Sequence, residues 1–119
     1  MARNPGNRSR RISELIREAI SRILIENVQN PETGLLTVTR VEMSADLLTA
    51  RIHIRSIGRT ISGPDIAEIL DTRKDHIRRR LASRLNLKYN PQLVFAWDPS
   101  PEIEEKIDTI MAAEKNDDD

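Results

Sequence analysis

The chain has 119 residues and a mass of 13.6 kDa, a length that suits one domain around a single core. It has no cysteine and two histidines, which excludes disulfides, thiolate zinc sites and cysteine nucleophiles and leaves any zinc site dependent on carboxylates. Lys plus Arg and Asp plus Glu both total 19, for zero formal charge, and aromatics at 3% are too few for a base-stacking sheet of the RRM or OB type.

No stretch approaches the ~20 apolar residues of a membrane span. The basic residues near the start are not followed by an apolar h-region, so a soluble, cytoplasmic chain without a secretory signal is expected. Residues 1–8 contain Arg, Asn, Pro and Gly and read as a flexible basic arm. A helix follows, with Asn7 or Ser9 as its cap and Ile12, Leu15, Ile16, Ala19, Ile20, Ile23 and Leu24 on one apolar face. Asn30-Pro31 and Gly34 end it.

Leu35 to Met43 is rich in Val, Thr and Leu and reads as a strand, Ser44 to Leu47 as a turn, and Leu48 to Ile57 as a second strand. In the latter, Ala50, Ile52 and Ile54 alternate with Thr49, Arg51, His53 and Arg55, placing the second set on an exposed face. The two strands form an antiparallel hairpin. Gly58 to Gly63 is a loop, and Ser62 caps a helix that begins at Pro64 with Asp65 and Glu68 in its first turn. Ile66, Ile69, Leu70, Ile77, Leu81 and Leu85 give its inner face, but Asp71 to His76 contains no apolar residue, which predicts a bend or break. Gln92 to Trp97 is a third strand, and Pro99-Ser100-Pro101 starts a short amphipathic helix carrying Ile103, Ile107, Ile110 and Met111. The order α-β-β-α-bend-α-β predicts an α+β domain with its helices packed on one face of a three-stranded sheet.

The zero net charge hides two unequal parts. From Asp98 to Asp119 nine acids face two lysines, a net −7, so residues 1–97 carry +7. A basic domain with an acidic tail is a frequent arrangement in nucleic-acid-binding proteins, although a tail that only solubilises is equally compatible with it. Between Arg73 and Lys88 lie Arg73, Lys74, Arg78, Arg79, Arg80, Arg84 and Lys88, opposed only by Asp75. On a helix, Arg73, Arg80 and Arg84 share one stripe beside His76, while Arg79 sits further round. Guanidinium forks donate bidentately to phosphate oxygens, so such a stripe can follow a nucleic-acid backbone. Arg3, Arg8, Arg10 and Arg11 make a second cluster, which helix stability does not explain because cations at a helix start oppose the macrodipole. Arg51 and Arg55 either extend the basic surface or merely solvate the sheet.

Catalysis finds little support. His53 and His76 have charged neighbours, Asp65, Glu68 and Asp71 are explained as helix-start acids, and no GxxxxGK[ST], GxGxxG or GxSxG occurs. No cofactor, metal or small-molecule substrate is expected.

Arg8-Ser9-Arg10-Arg11-Ile12-Ser13-Glu14-Leu15-Ile16, Asn30-Pro31, and above all Val38 to Leu47, with its V-x-x-V-E-M-S-x-D-L pattern, resemble the ribosome-binding factor A family of bacteria. Ile77-Arg78, Leu81, Leu85-Asn86-Leu87 and Pro91-Gln92-Leu93-Val94-Phe95, with Asp98 and Ser100, continue the likeness to about residue 111. The resemblance implies a type II KH-like fold without a GxxG loop, and the four glycines here include no pair three apart. It further implies a non-enzymatic factor that binds the free 30S small ribosomal subunit and 16S rRNA, assists late maturation and 5′-end processing, and supports growth in the cold. One departure stands out: Arg73-Lys74-Asp75 occupies the place of the family's Ala-x-Gly kink.

The expected organisation is a basic arm (1–8), a KH-like rRNA-binding domain (9–98), a C-terminal amphipathic helix (99–112) and an acidic tail (113–119), in a monomer. The expected RNA-binding residues are Arg8, Arg10, Arg11, Arg73, Arg78, Arg79, Arg80, Arg84 and Lys88. The alternative is a protein-binding adaptor that docks through the C-terminal helix.

Overall fold

A computed structural model describes residues 6–99, with side chains from Arg8 onward. In chain order it holds α1 (Gly6–Asn27), β1 (Leu35–Met43), β2 (Thr49–Ile57), α2 (Gly63–Thr72), α3 (Lys74–Arg84) and β3 (Gln92–Trp97). Most of the apolar positions read from the sequence become the core, whereas Leu15, read on the same face of α1, is 41% exposed. Ile16, Ile20, Ile23 and Leu24 of α1, Ile66 and Leu70 of α2, and Ile77 and Leu81 of α3 are fully buried against Ala50, Ile52 and Ile54 of β2. Leu36, Val38, Leu93 and Phe95 complete the inner face of the sheet.

The sheet order is β1-β2-β3. β1 and β2 pair antiparallel from Leu35↔Ile57 to Met43↔Ala50, with the register shifting between Val38 and Arg40. Thr39 is the extra residue there, and its hydroxyl lies 2.7 Å from Asp98 Oδ2. β3 runs parallel to β2, from Thr49↔Gln92 to Ile54↔Trp97. A parallel pair needs a crossover connection, and α2 with α3 supplies it. All three helices therefore cover one face, and the side chains of Arg40, Glu42, Arg51, His53 and Val94 stand on the other.

Local chemistry fixes the ends of these elements. After α1, Asn30 Oδ1 accepts from the N–H groups of Glu32 (2.8 Å) and Thr33 (2.9 Å). Gly34 then takes φ +68°, where a Cβ would lie 2.4 Å from the Ile57 carbonyl oxygen. Ser62 caps α2 by accepting from the Asp65 N–H at 3.1 Å. The predicted break falls on Arg73, whose φ of −107° and ψ of 7° end α2 and start α3. This is the bridge region, sparsely populated but accessible to L-residues, so the break at Arg73 needs no glycine. The Arg73 N–H bonds to the Leu70 carbonyl and its own carbonyl accepts from Ile77, both at 3.0 Å.

Two further readings change. α1 begins at Gly6, so Gly6 to Arg8, read as the end of a flexible arm, are helical. Arginine is among the better helix formers, and this propensity outweighs the unfavourable placement of its charge in the first turn. His53 is on the outer face as predicted, yet it retains only 7% exposure. It sits on the central strand, and the carboxylate of its cross-strand neighbour Glu42 reaches over to its Nε2 at 2.5 Å. The expected helix from residue 100 onward, the acidic tail and Arg3 lie outside the described residues.

Candidate nucleic-acid interface

α1 and α3 pack side by side and run in opposite directions, which sets where the basic residues meet. At ~100° per residue, Arg73, Arg80 and Arg84 fall within about 40° of one another on α3, the expected stripe. All three reach the C-terminal end of α1. Arg73 Nη1 donates to the Asn27 carbonyl (3.4 Å), Arg80 Nη2 to Asn27 Oδ1 (3.3 Å), and Arg84 Nη2 pairs with Glu26. The last turn of α1 has no basic residue of its own, so α3 supplies the cations that the carbonyl end of a helix favours. Sequence reasoning missed this anchoring because Glu26 lies 58 residues from Arg84.

The remaining predicted residues divide by geometry. Arg79 is exposed on the solvent side of α3, opposite the buried Ile77 and Leu81. Arg78 is half-buried and donates from Nε to the Pro91 carbonyl (2.9 Å) and from Nη2 to the Asn90 carbonyl (2.7 Å). It clasps α3 to the start of β3. Arg8 and Lys88 are exposed and line one cavity together. Arg10 and Arg11 are exposed as well. On the α1 wheel Arg11 lies about 60° from Arg8, whereas Arg10 lies about 160° away, on the opposite flank.

Arg22 belongs to this surface although it was not among the predicted residues. It lies on the same flank of α1 as Arg8 and Arg11 and lines a shallow depression with Arg84 and Leu85. A helical wheel drawn through α1 would have found it. Arg8, Arg11, Lys88, Arg22, Arg84, Arg80 and Arg73 thus follow the α1–α3 flank from one end to the other, interrupted by Glu18 and Glu26.

The open sheet face is more balanced. Arg40 and Arg51 are exposed, but Glu42 lies between them, 2.5 Å from His53 Nε2 and 3.9 Å from Arg40. The hydrogen bond from His53, aided by the charges of Arg40 and Arg51, holds the Glu42 carboxyl below the usual carboxylate range. Among the aromatics, Phe95 is core, Trp97 is half-buried with the Arg59 guanidinium 4.9 Å from its centroid, and Tyr89 is 52% exposed. Among the described residues no three His, Asp or Glu side chains are grouped to hold a metal ion, and no helix is long and apolar enough to cross a membrane.

Comparison with known proteins adds a family. The family model of ribosome-binding factor A matches residues 8–111. The ribosome-binding factor A of Syntrophus aciditrophicus is 36% identical over 114 residues, which are 92% of this chain and 93% of that one. The crystal structure of ribosome-binding factor A from Thermus thermophilus superposes with a TM-score of 0.64 at 19% identity, covering 74% of this chain and 93% of that one. A Thermus thermophilus ribosome-binding factor A homology model, fitted into the cryo-EM map of a 30S complex, gives the same TM-score and coverages at 25% identity.

Proposed function

The chain belongs to the ribosome-binding factor A family, and on that premise we propose that it binds the free 30S subunit through 16S rRNA, in the cytoplasm and without catalysing a reaction. The observation that carries the reading is the cationic flank of α1 and α3, seven basic residues long and flanked by few acids. Guanidinium groups in such a row neutralise successive phosphates, and the rigid pairing of two helices fixes their spacing. The domain's shape then selects the site, and its occupancy holds the local rRNA in one state. Late maturation and 5′-end processing are the steps such holding would assist. The relative fitted into a 30S map supports the partner.

Arg8, Arg11, Arg22, Arg73, Arg80, Arg84 and Lys88 make the contacts along the flank, Arg79 adds one from the solvent side of α3, Arg10 reaches a separate strand or none, and Arg78 is structural. The test is co-sedimentation with separated ribosomal particles across a salt series. Binding to free small subunits that weakens ~10³-fold or more between 50 and 200 mM salt is expected for six or more phosphate contacts. Salt-insensitive binding, or none to any particle, would sink the reading and favour the adaptor.

A further inference from the structure

At the far end of the cationic flank, the first turn of α1, the β1–β2 turn and the α3–β3 connection enclose a cavity of about 200 Å³. Its chemistry is split. Ile12, Met43, Leu47 and Leu87 form an apolar floor, while Arg8, Lys88 and the Tyr89 ring stand around it. Lys88 Nζ lies 5.4 Å from the Tyr89 centroid, so aromatic face and cation are presented together. Leu47, which lines this space, has a φ of 63°, uncommon for a residue other than glycine, and its N–H donates to the Ser44 carbonyl at 2.9 Å.

The size excludes a large ligand, since sites for drug-sized molecules run to about 300–1,000 Å³. A flat group with one anionic side satisfies both halves of the cavity. Arg8 at the start of α1 opposes the helix dipole, and an anion seated between them would satisfy both. We propose that this cavity takes one unpaired RNA base, stacked on Tyr89 over the apolar floor, with its flanking phosphates on Arg8 and Lys88. Bases splayed from single-stranded RNA are held in this way, on rings and guanidinium planes. The inference rests on the rRNA-binding reading and adds a contact specific to single strands that the phosphate-following flank lacks.

Two measurements test it. In the first, full-length isotope-labelled protein is titrated with nucleoside 5′-monophosphates and, separately, with inorganic phosphate. The Met43, Leu47 and Leu87 methyl signals are expected to shift by base ring current with the nucleotides and not with phosphate. Equal shifts with phosphate, or shifts with nucleotide only after residues 1–5 are removed, would overturn the proposal in favour of a bare anion site or of the chain's own N-terminus as occupant. In the second, Tyr89→Ala is expected to weaken small-subunit binding about tenfold or more, while Tyr89→Phe retains it. Tyr89 is 52% exposed, so an unchanged thermal midpoint is expected for both variants. Wild-type binding with no loss in Tyr89→Ala would overturn the pocket alone. Absence of wild-type binding would overturn the 30S reading, and the nucleotide titration would still decide the cavity.

Discussion

The indole of Trp97 lies directly against Gly63: a Cβ at position 63 would stand 2.2 Å from both Cδ2 and Cε2 of the ring. These are central atoms of a rigid ring, so no rotation of a flexible end relieves the contact. Glycine is required here for close approach of α2 to the end of β3, and not for an unusual backbone angle. The ring also carries the Arg59 guanidinium 4.9 Å from its centroid, and Arg59 Nη1 donates to the Ile61 carbonyl at 2.9 Å. Gly63→Ala is therefore expected to destabilise by about 1–3 kcal/mol, as overpacking does. Trp97 is the only tryptophan, so its fluorescence in a urea titration reports both the displaced ring and the lower midpoint. A change below about 0.5 kcal/mol would contradict the fit described.

Arg78 and its neighbours on α3 are alike in sequence and differ in use. Its two bonds to the Asn90 and Pro91 carbonyls are half-buried, and removing a partner strands groups that water reaches poorly. Arg78→Ala should cost about 1–3 kcal/mol of stability. Arg78→Lys should recover little, because an ammonium cannot span both carbonyls with the fork geometry. The salt dependence of small-subunit binding should not change in the folded variant. A slope lowered by one contact would instead make Arg78 a phosphate ligand.

Glu26 provides the complementary test. Its pairing with Arg84 is exposed, and such pairs contribute about 0–1 kcal/mol. Glu26→Gln should leave stability nearly unchanged while releasing Arg84 and removing one of the two acids on the flank. Small-subunit binding at low salt should tighten, with a steeper salt slope. Weaker binding would mean that Glu26 aims Arg84 correctly and does not compete with RNA.

Much of this was legible in the chain. The limits of β1 and β3 coincide with the predicted strands, β1 through its Val, Thr and Leu content and β3 as a short apolar run bounded by Pro91 and Asp98-Pro99, while period-two alternation marks β2. The break at Arg73 was visible as a gap in the apolar stripe, since Asp71 to His76 offers nothing to bury. What could not be read depends on partners distant in sequence. The parallel pairing of β3 with β2 sets Leu93 beside Ala50, and no local pattern encodes that register. The anchoring of the arginine stripe to Asn27 and Glu26 has the same origin, because an i±4 inspection finds no acid near it. His53 alternates like an exposed residue, yet it lies on the central strand and meets Glu42, eleven positions away across the hairpin.

That cross-strand pair predicts a pH dependence with a definite sign. The folded-state pKa of Glu42 is lowered, chiefly by the hydrogen bond from His53, so folding favours its ionised form. The contribution is complete above the unfolded carboxylate value of about 4.3 and is lost as pH falls through the lower folded value. Asp46, lowered by the Ser44 hydroxyl and the Leu48 N–H, adds in the same direction. Glu42 is half-exposed, so solvent screening limits its share to about 0.2–1 kcal/mol. Urea midpoints measured from pH 7 to pH 3 should fall less steeply below pH 5 in Glu42→Gln than in the wild type, with the two converging at the acid end. A constant gap between the curves across that range would assign Glu42 a packing role independent of its charge.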